Sequence, residues 1–167
     1  MFRKVEDFRS ALDTLSEGTR KIFAKLTDDN LGQPVAPGHR TLGQIAWHIV
    51  VTIPEMMNQV GLSVTPIPAD TPPPASAEKI REIYDRSVNE FRREITENWQ
   101  DSDLQIQDNL YGEIWTRGLT LQILLHHEIH HRGQMTVLLR QAGAGVPGNF
   151  GPSKEEWKEY GSEPPAY

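Results

Sequence analysis

His126, His127, His130 and His131 place four of the six histidines of a 167-residue chain within about a turn and a half of one helix. Side chains four apart on a helix stand one above the other on the same face. Two imidazoles so placed can share a divalent cation, and neutral imidazole suits zinc, nickel, copper or iron. Two pairs have this spacing: His126 with His130, and His127 with His131. On a wheel of about 100° per residue, Thr120, Ile123, Leu124, Met135 and Leu138 surround the direction of His127 and His131. That direction reads as the middle of a buried stripe, so this pair is predicted to face the interior. His126 and His130 fall towards the edge of the stripe with Leu119 and Val137. His130 is placed to support a ligand or line a pocket.

A third ligand can come from His48, in Leu42-Gly43-Gln44-Ile45-Ala46-Trp47-His48-Ile49. Gln44, Thr52, Glu55 and Gln59 share its side of the helix, with Ile45, Ile49 and Met56 beside them. Such a polar strip is either a solvated face or the lining of an internal cleft, and the spacing leaves both open. Pro54 removes an intrahelical hydrogen bond and can open room there. Glu55, Gln134 and His130 are the candidate catalytic groups: Glu55 as general base or extra ligand, Gln134 as the group that orients His131. Arg132 is a candidate for a substrate carboxylate, or for a surface pair with Glu128. His39, beside Gly38 in a loop, reads as surface. Trp47 and Arg140 have structural readings, and Trp115, Tyr111 and Phe150 read as packing or as a pocket rim.

His127-Glu128-Ile129-His130-His131 also matches H-E-x-x-H, in which two histidines hold zinc and the glutamate serves as general base of a peptidase. The longer form of that motif needs Gly at 134 and His at 137, where this chain has Gln134 and Val137. Glu155 or Glu156 would have to supply a further ligand from a capped surface helix. No strand edge for a peptide substrate is legible. The peptidase is the weaker reading.

The elements that carry these residues follow from periodicity. Helices are predicted over 5–26, 41–60, 76–99 and from 116–120 to 141. Thr41-Leu42-Gly43-Gln44 reads as a capping box. Residues 61–75 hold Pro66, Pro68, Pro72, Pro73 and Pro74, and read as a crossover loop within one domain, since neither half has apolar surface for its own core. Residues 100–118 read as irregular with a short extended piece. Ser153-Lys154-Glu155-Glu156 is a second capping box, predicting a short helix that returns Trp157 to the body. The fold class is all-α: a four-helix bundle with long crossover connections and a short C-terminal helix, spanning 1–167 as one domain.

A formal charge of −6 and 37% apolar residues describe a chain with one core and no basic patch for nucleic acid. The absence of cysteine excludes disulfides, thiolate metal sites and a cysteine nucleophile within the sequence. No stretch reads as a signal peptide or a membrane span, so a cytoplasmic location is expected.

His127-x-x-x-His131-Arg132-Gly133-Gln134, the segment Thr41 to His48, and the tail Val146-Pro147-Gly148 through Phe150-Gly151-Pro152-Ser153 together resemble the DinB-like (damage-inducible, YfiT-like) superfamily. The resemblance covers essentially the whole chain. It implies a divalent metal, zinc or nickel first and iron or manganese next, held by His48, His127 and His131. His126 and His130 are extra to its minimal pattern. It also implies a four-helix bundle, a homodimer, and a metal-dependent enzyme that transfers a small thiol such as bacillithiol or mycothiol to an electrophile, or a hydrolase. It does not imply DNA binding. Three histidines leave a coordination position open, as catalytic sites do. A non-catalytic metal-binding or stress-related protein is the alternative expectation.

Overall fold

The computed structural model describes residues 1–166. Its elements are α1 (Val5–Phe23), α2 (Leu42–Gln59), α3 (Ala77–Asn98), a 3-10 turn (Asp101–Gln105), β1 (Gln107–Leu110), β2 (Glu113–Thr116), α4 (Arg117–Gln141) and a second 3-10 turn (Trp157–Tyr160). Three helices start at a hydroxyl that accepts the amide three residues on: Thr41 from Gln44, Ser76 from Lys79, and Thr116 from Leu119, each at 3.3 Å. At α2 the box is complete, since Gln44 Oε1 accepts the Thr41 amide at 2.8 Å. α1 and α3 cap each other. Asp28 accepts the Ala77 amide at 2.7 Å, and Arg81 donates to the carbonyls of Phe23 and Leu26 at the end of α1.

α1 packs on α3 and α4, and α2 packs on the same two helices. α1 and α2 therefore lie diagonally across the bundle, as do α3 and α4. Phe8, Phe23, Ile53, Met57, Phe91 and Leu139 belong to the continuous core between them. The diagonal steps are made by residues 24–41 and 99–116. The proline-rich segment, expected to be a crossover, joins the neighbours α2 and α3 instead. Side chains hold it where proline offers no donor. Asn58 bonds both the amide and the carbonyl of Val64 at 2.9 Å, Glu90 accepts from Thr65, and Trp47 Nε1 donates to Thr71 O at 2.8 Å.

Two local expectations change. Residues 107–116 form an antiparallel hairpin, pairing Gln107 with Thr116 and Leu110 with Glu113. Tyr111 and Gly112, at φ 55° and 85°, make the two-residue turn whose twist suits a hairpin. The second capping box forms only in part. Glu156 accepts the Ser153 amide at 2.9 Å, but the Ser153 hydroxyl finds no partner, and only the 3-10 turn at Trp157–Tyr160 follows. Among the described residues, no helix is long and apolar enough to cross a membrane.

Burial around α4 also departs from the wheel. Leu121, Leu125, Glu128, Arg132 and Leu139 are buried together with Leu124, Met135 and Leu138. The buried sector is thus wide, because α4 packs on α1 as well as on α2. Its middle lies near Glu128; His131, 8% exposed, lies within it, and the half-buried His127 stands at its border.

Candidate metal centre

α2 and α4 bring three imidazoles to one point. His127 Nε2 lies 3.1 Å from His48 Nε2 and 3.0 Å from His131 Nε2. One ligand nitrogen from each ring falls within 4.8 Å of the other two. The polar strip of α2 is therefore turned inwards at His48, which resolves the choice the spacing left open. The mutual arrangement is edge-on: the ring centroids stand 4.4–4.9 Å apart with interplanar angles of 70–84°. Thr52 fixes the backbone at His48 by donating to its carbonyl at 2.7 Å.

Gln134, one turn beyond His130, accepts from His131 Nδ1 through Oε1 at 2.7 Å. A proton held on Nδ1 leaves the Nε2 lone pair of His131 facing the group, as a metal ligand requires. The amide end of Gln134 lies 3.2 Å from His130 Nε2. Burial, followed by the charges of His131 and Arg40, holds the His48 imidazole down at about 4. Burial and the neighbouring histidines hold His127 at about 4 as well, and burial lowers His131. All three rings are thus neutral near pH 7, the form that binds cations.

The donor set fits a metal. Tetrahedral zinc, with Zn–N of about 2.0–2.1 Å, holds its nitrogens roughly 3.3 Å apart. The pairs at 3.0 and 3.1 Å are close to that spacing. No carboxylate joins the group among the described residues, so protein ligands fill three positions only.

The other predicted residues lie elsewhere. Glu128 is 3% exposed and faces α1 and α3, where its Oε1 accepts from the hydroxyls of Thr19 and Tyr84, both at 2.6 Å. It does not serve as the base of an H-E-x-x-H site here, because its carboxylate is buried against Thr19 and Tyr84 and is not part of the three-imidazole group. Burial raises its carboxyl above the ordinary range, against the pull of those two hydroxyls. Arg132, expected at a substrate or on the surface, is 3% exposed; its Nη1 donates to Leu15 O at 2.9 Å and lies 3.3 Å from Thr19 Oγ1. Its guanidinium stands 5.2 Å from the Phe150 ring. Glu55 is exposed and accepts from Tyr111 OH and Gln59 at 2.6 Å. His126 is exposed beside a groove lined by Leu15, Ile129 and Phe150 and is not part of the three-imidazole group. Arg140 pairs with Glu155, so neither tail glutamate reaches the centre.

A cavity of about 340 Å³ opens beside His131 and Gln134. Its walls include His39 and Arg40 from the loop before α2. His39 is exposed, as read from the sequence, yet it belongs to this cavity rather than to a featureless surface. Arg40 lines the same cavity, a role that no motif in the sequence marks. The available signal was its position directly before the Thr41 cap, two turns from His48 on a helix whose start was legible.

An all-α bundle with an open three-imidazole group on two packed helices defines a class of helical proteins with a site built in the bundle. The chain belongs to the DinB family, whose model matches residues 1–164. It is similar to the uncharacterized protein YrdA of Bacillus subtilis (strain 168), at 39% identity over 165 residues and 99% of each chain. It is also similar to the crystal structure of a DinB-like protein from Bacillus cereus ATCC 10987. The TM-score there is 0.86 at 40% identity, covering 89% of this chain and 99% of the other. A DinB-like protein from Bacillus subtilis, YjoA, shares the fold at a TM-score of 0.67 and 17% identity, over 86% and 97% of the two chains.

Proposed function

We propose that the protein binds one divalent cation, zinc or nickel, through the Nε2 atoms of His48, His127 and His131, and uses it on a small molecule. The convergence of three neutral imidazoles beside a cavity carries this reading. A cation held there supplies Lewis acidity that favours the deprotonated form of a water or a thiol near neutral pH. The reaction class this suits best is transfer of a small thiol to an electrophile, with hydrolysis as the second choice.

The chain's own residues supply the frame. Gln134 keeps the proton of His131 on Nδ1, and His130 backs Gln134. The sequence has no cysteine, so the thiol must arrive as a co-substrate. Among the described residues no carboxylate joins the group, so a proton released by a thiol there would pass to solvent.

Elemental analysis of the purified protein tests the centre. One equivalent of metal is expected in the parent, and a large loss in His48→Ala and in His131→Ala, with His126→Ala unchanged. Stoichiometric metal in both ligand variants overturns the assignment. Assays of the loaded protein with low-molecular-weight thiols and electrophiles then separate an enzyme from a protein that only retains metal.

A further inference from the structure

The cavity beside His131 has a chemical character of its own. Val35, Ile45, Val137 and Leu138 give it an apolar wall, and Arg40 and His39 stand at its polar side. No aspartate or glutamate lines it. Among the described residues, no carboxylate forms a salt bridge with Arg40. In a chain with a formal charge of −6, this is an uncompensated cation next to three imidazoles. A divalent ion on those rings would make the cavity more positive still.

Arg40 is also well placed. The loop that carries it is closed at its base by a bridge between Pro34 and Thr41. The Leu42 amide donates to Gln33 O at 2.8 Å, and the Gly43 amide to Leu31 O at 2.9 Å. Gly43 lets the loop lie against the helix, since a Cβ there would meet Leu31 at 3.1 Å. The backbone beneath Arg40 is therefore held, while its side chain remains exposed. Its charge reaches all three rings of the centre.

From the pairing of this free guanidinium with an apolar wall, we infer that the cavity binds a small organic carboxylate. The carboxylate pairs with Arg40, and the hydrocarbon body lies on Ile45, Val137 and Leu138. The middle of the molecule then faces His131. A guanidinium matches a carboxylate with two parallel N–H donors, which a lone amide or amine cannot use equally. The volume sits at the small end of ligand pockets, about 300–1,000 Å³, which favours a metabolite over a peptide. The inference rests on the metal reading only for what happens to the bound molecule. Binding requires Arg40 and the wall alone.

The test compares hexanoate, hexanamide and hexylammonium by calorimetry and by amide-proton NMR, on metal-free and zinc-loaded protein. Hexanoate should bind about tenfold more tightly than hexanamide in both forms, as a charge-assisted pair implies. Shifts should centre on Ile45, Val137 and Leu138. Arg40→Gln should erase the preference, and Arg40→Glu should reverse it towards hexylammonium. Circular dichroism and zinc content show that the variants remain folded. Equal binding of hexanoate and hexanamide, or a preference that survives Arg40→Gln, overturns the inference. A carboxylate that simply ligates the cation would bind only the loaded protein and ignore Arg40, and it too counts against the proposal. Failure of the metal reading shows up separately, as missing zinc in the parent with the metal-free preference intact.

Discussion

At the scale of single residues, the decisive contact is the bond from His131 Nδ1 to Gln134 Oε1 at 2.7 Å. It selects the tautomer that leaves Nε2 free. Partners of this kind commonly contribute 10–100-fold in metal affinity. Gln134→Ala should therefore weaken zinc binding by about 10–100-fold with all three ligands present. A competition titration against a chromophoric chelator reads this directly, and an unchanged affinity shows the contact to be idle. The same rings set an acid response in the metal-free protein. His48 and His127 are held at about 4, against 6.5 for an ordinary imidazole. Between pH 6.5 and about 4 the unfolded chain takes up protons that the folded one refuses. Stability then falls as the pH is lowered through that window. Urea midpoints taken with chelator present should drop between about pH 7 and about pH 5, and the drop should be smaller in His48→Ala. A profile of equal slope in parent and variant removes these rings as the cause.

At the scale of elements, α4 decides where chemistry and structure divide. One side carries His127, His131 and Gln134 towards α2 and the cavity. The next carries Glu128 and Arg132 into α1 and α3. Thr19 Oγ1 and Tyr84 OH are the two donors to the buried Glu128 oxygen. Removing one leaves a buried acceptor short of a partner, which costs about 1–3 kcal/mol. Tyr84→Phe should lower the unfolding free energy by about that amount without changing zinc stoichiometry. Loss of zinc alongside stability would mean that α4 has rotated and that the two sides are not independent. Gly18 marks the other contact of this network. A Cβ there would collide with Asn149 and lie 2.7 Å from Arg132 Nη1. Gly18→Ala should displace the tail, read as faster proteolysis after Val146, with overpacking costing about 1–3 kcal/mol. Tail cleavage at the parent rate would show that the docking of Asn149 is dispensable.

These elements also show what the sequence made legible. The helices and the Thr41 cap follow from local chemistry, so periodicity and one threonine–glutamine pair locate them. The resemblance pointed to His48, whereas its polar strip alone allowed a solvated face. The hairpin escaped because its strands are four residues long and its buried side is represented by Leu110 alone, with Ile114 turned outward. Its turn uses Tyr111 at positive φ in place of the usual asparagine or aspartate. Glu128 and Arg132 read as surface because a charged residue is costly to bury unless paired. Their partners come from α1 and α3, more than a hundred residues away in Thr19 and Leu15. Arg40 stayed unread for a related reason: its meaning depends on a cavity that exists only once α4 lies beside the loop.

At the scale of the molecule, the centre joins two helices that the chain connects only through a proline-rich segment, α3 and the hairpin. α2 and α4 are neighbours in space, and His48 is separated from His127 by 79 positions. A cation bridging them can bind only when the bundle is assembled, so binding free energy becomes folding free energy. Free zinc at about 100 times its Kd should raise the unfolding free energy by about 2.7 kcal/mol. The melting temperature should rise with zinc and return on adding chelator. His48→Ala removes the α2 end of the bridge, leaving a pair on one helix that no longer ties two elements together. Its metal-free form should melt near the parent's metal-free form, and zinc should add little. The comparison separates a bridge from a surface pair. If zinc stabilises His48→Ala as much as the parent, the cation is held by α4 alone, and α2 has no part in the centre.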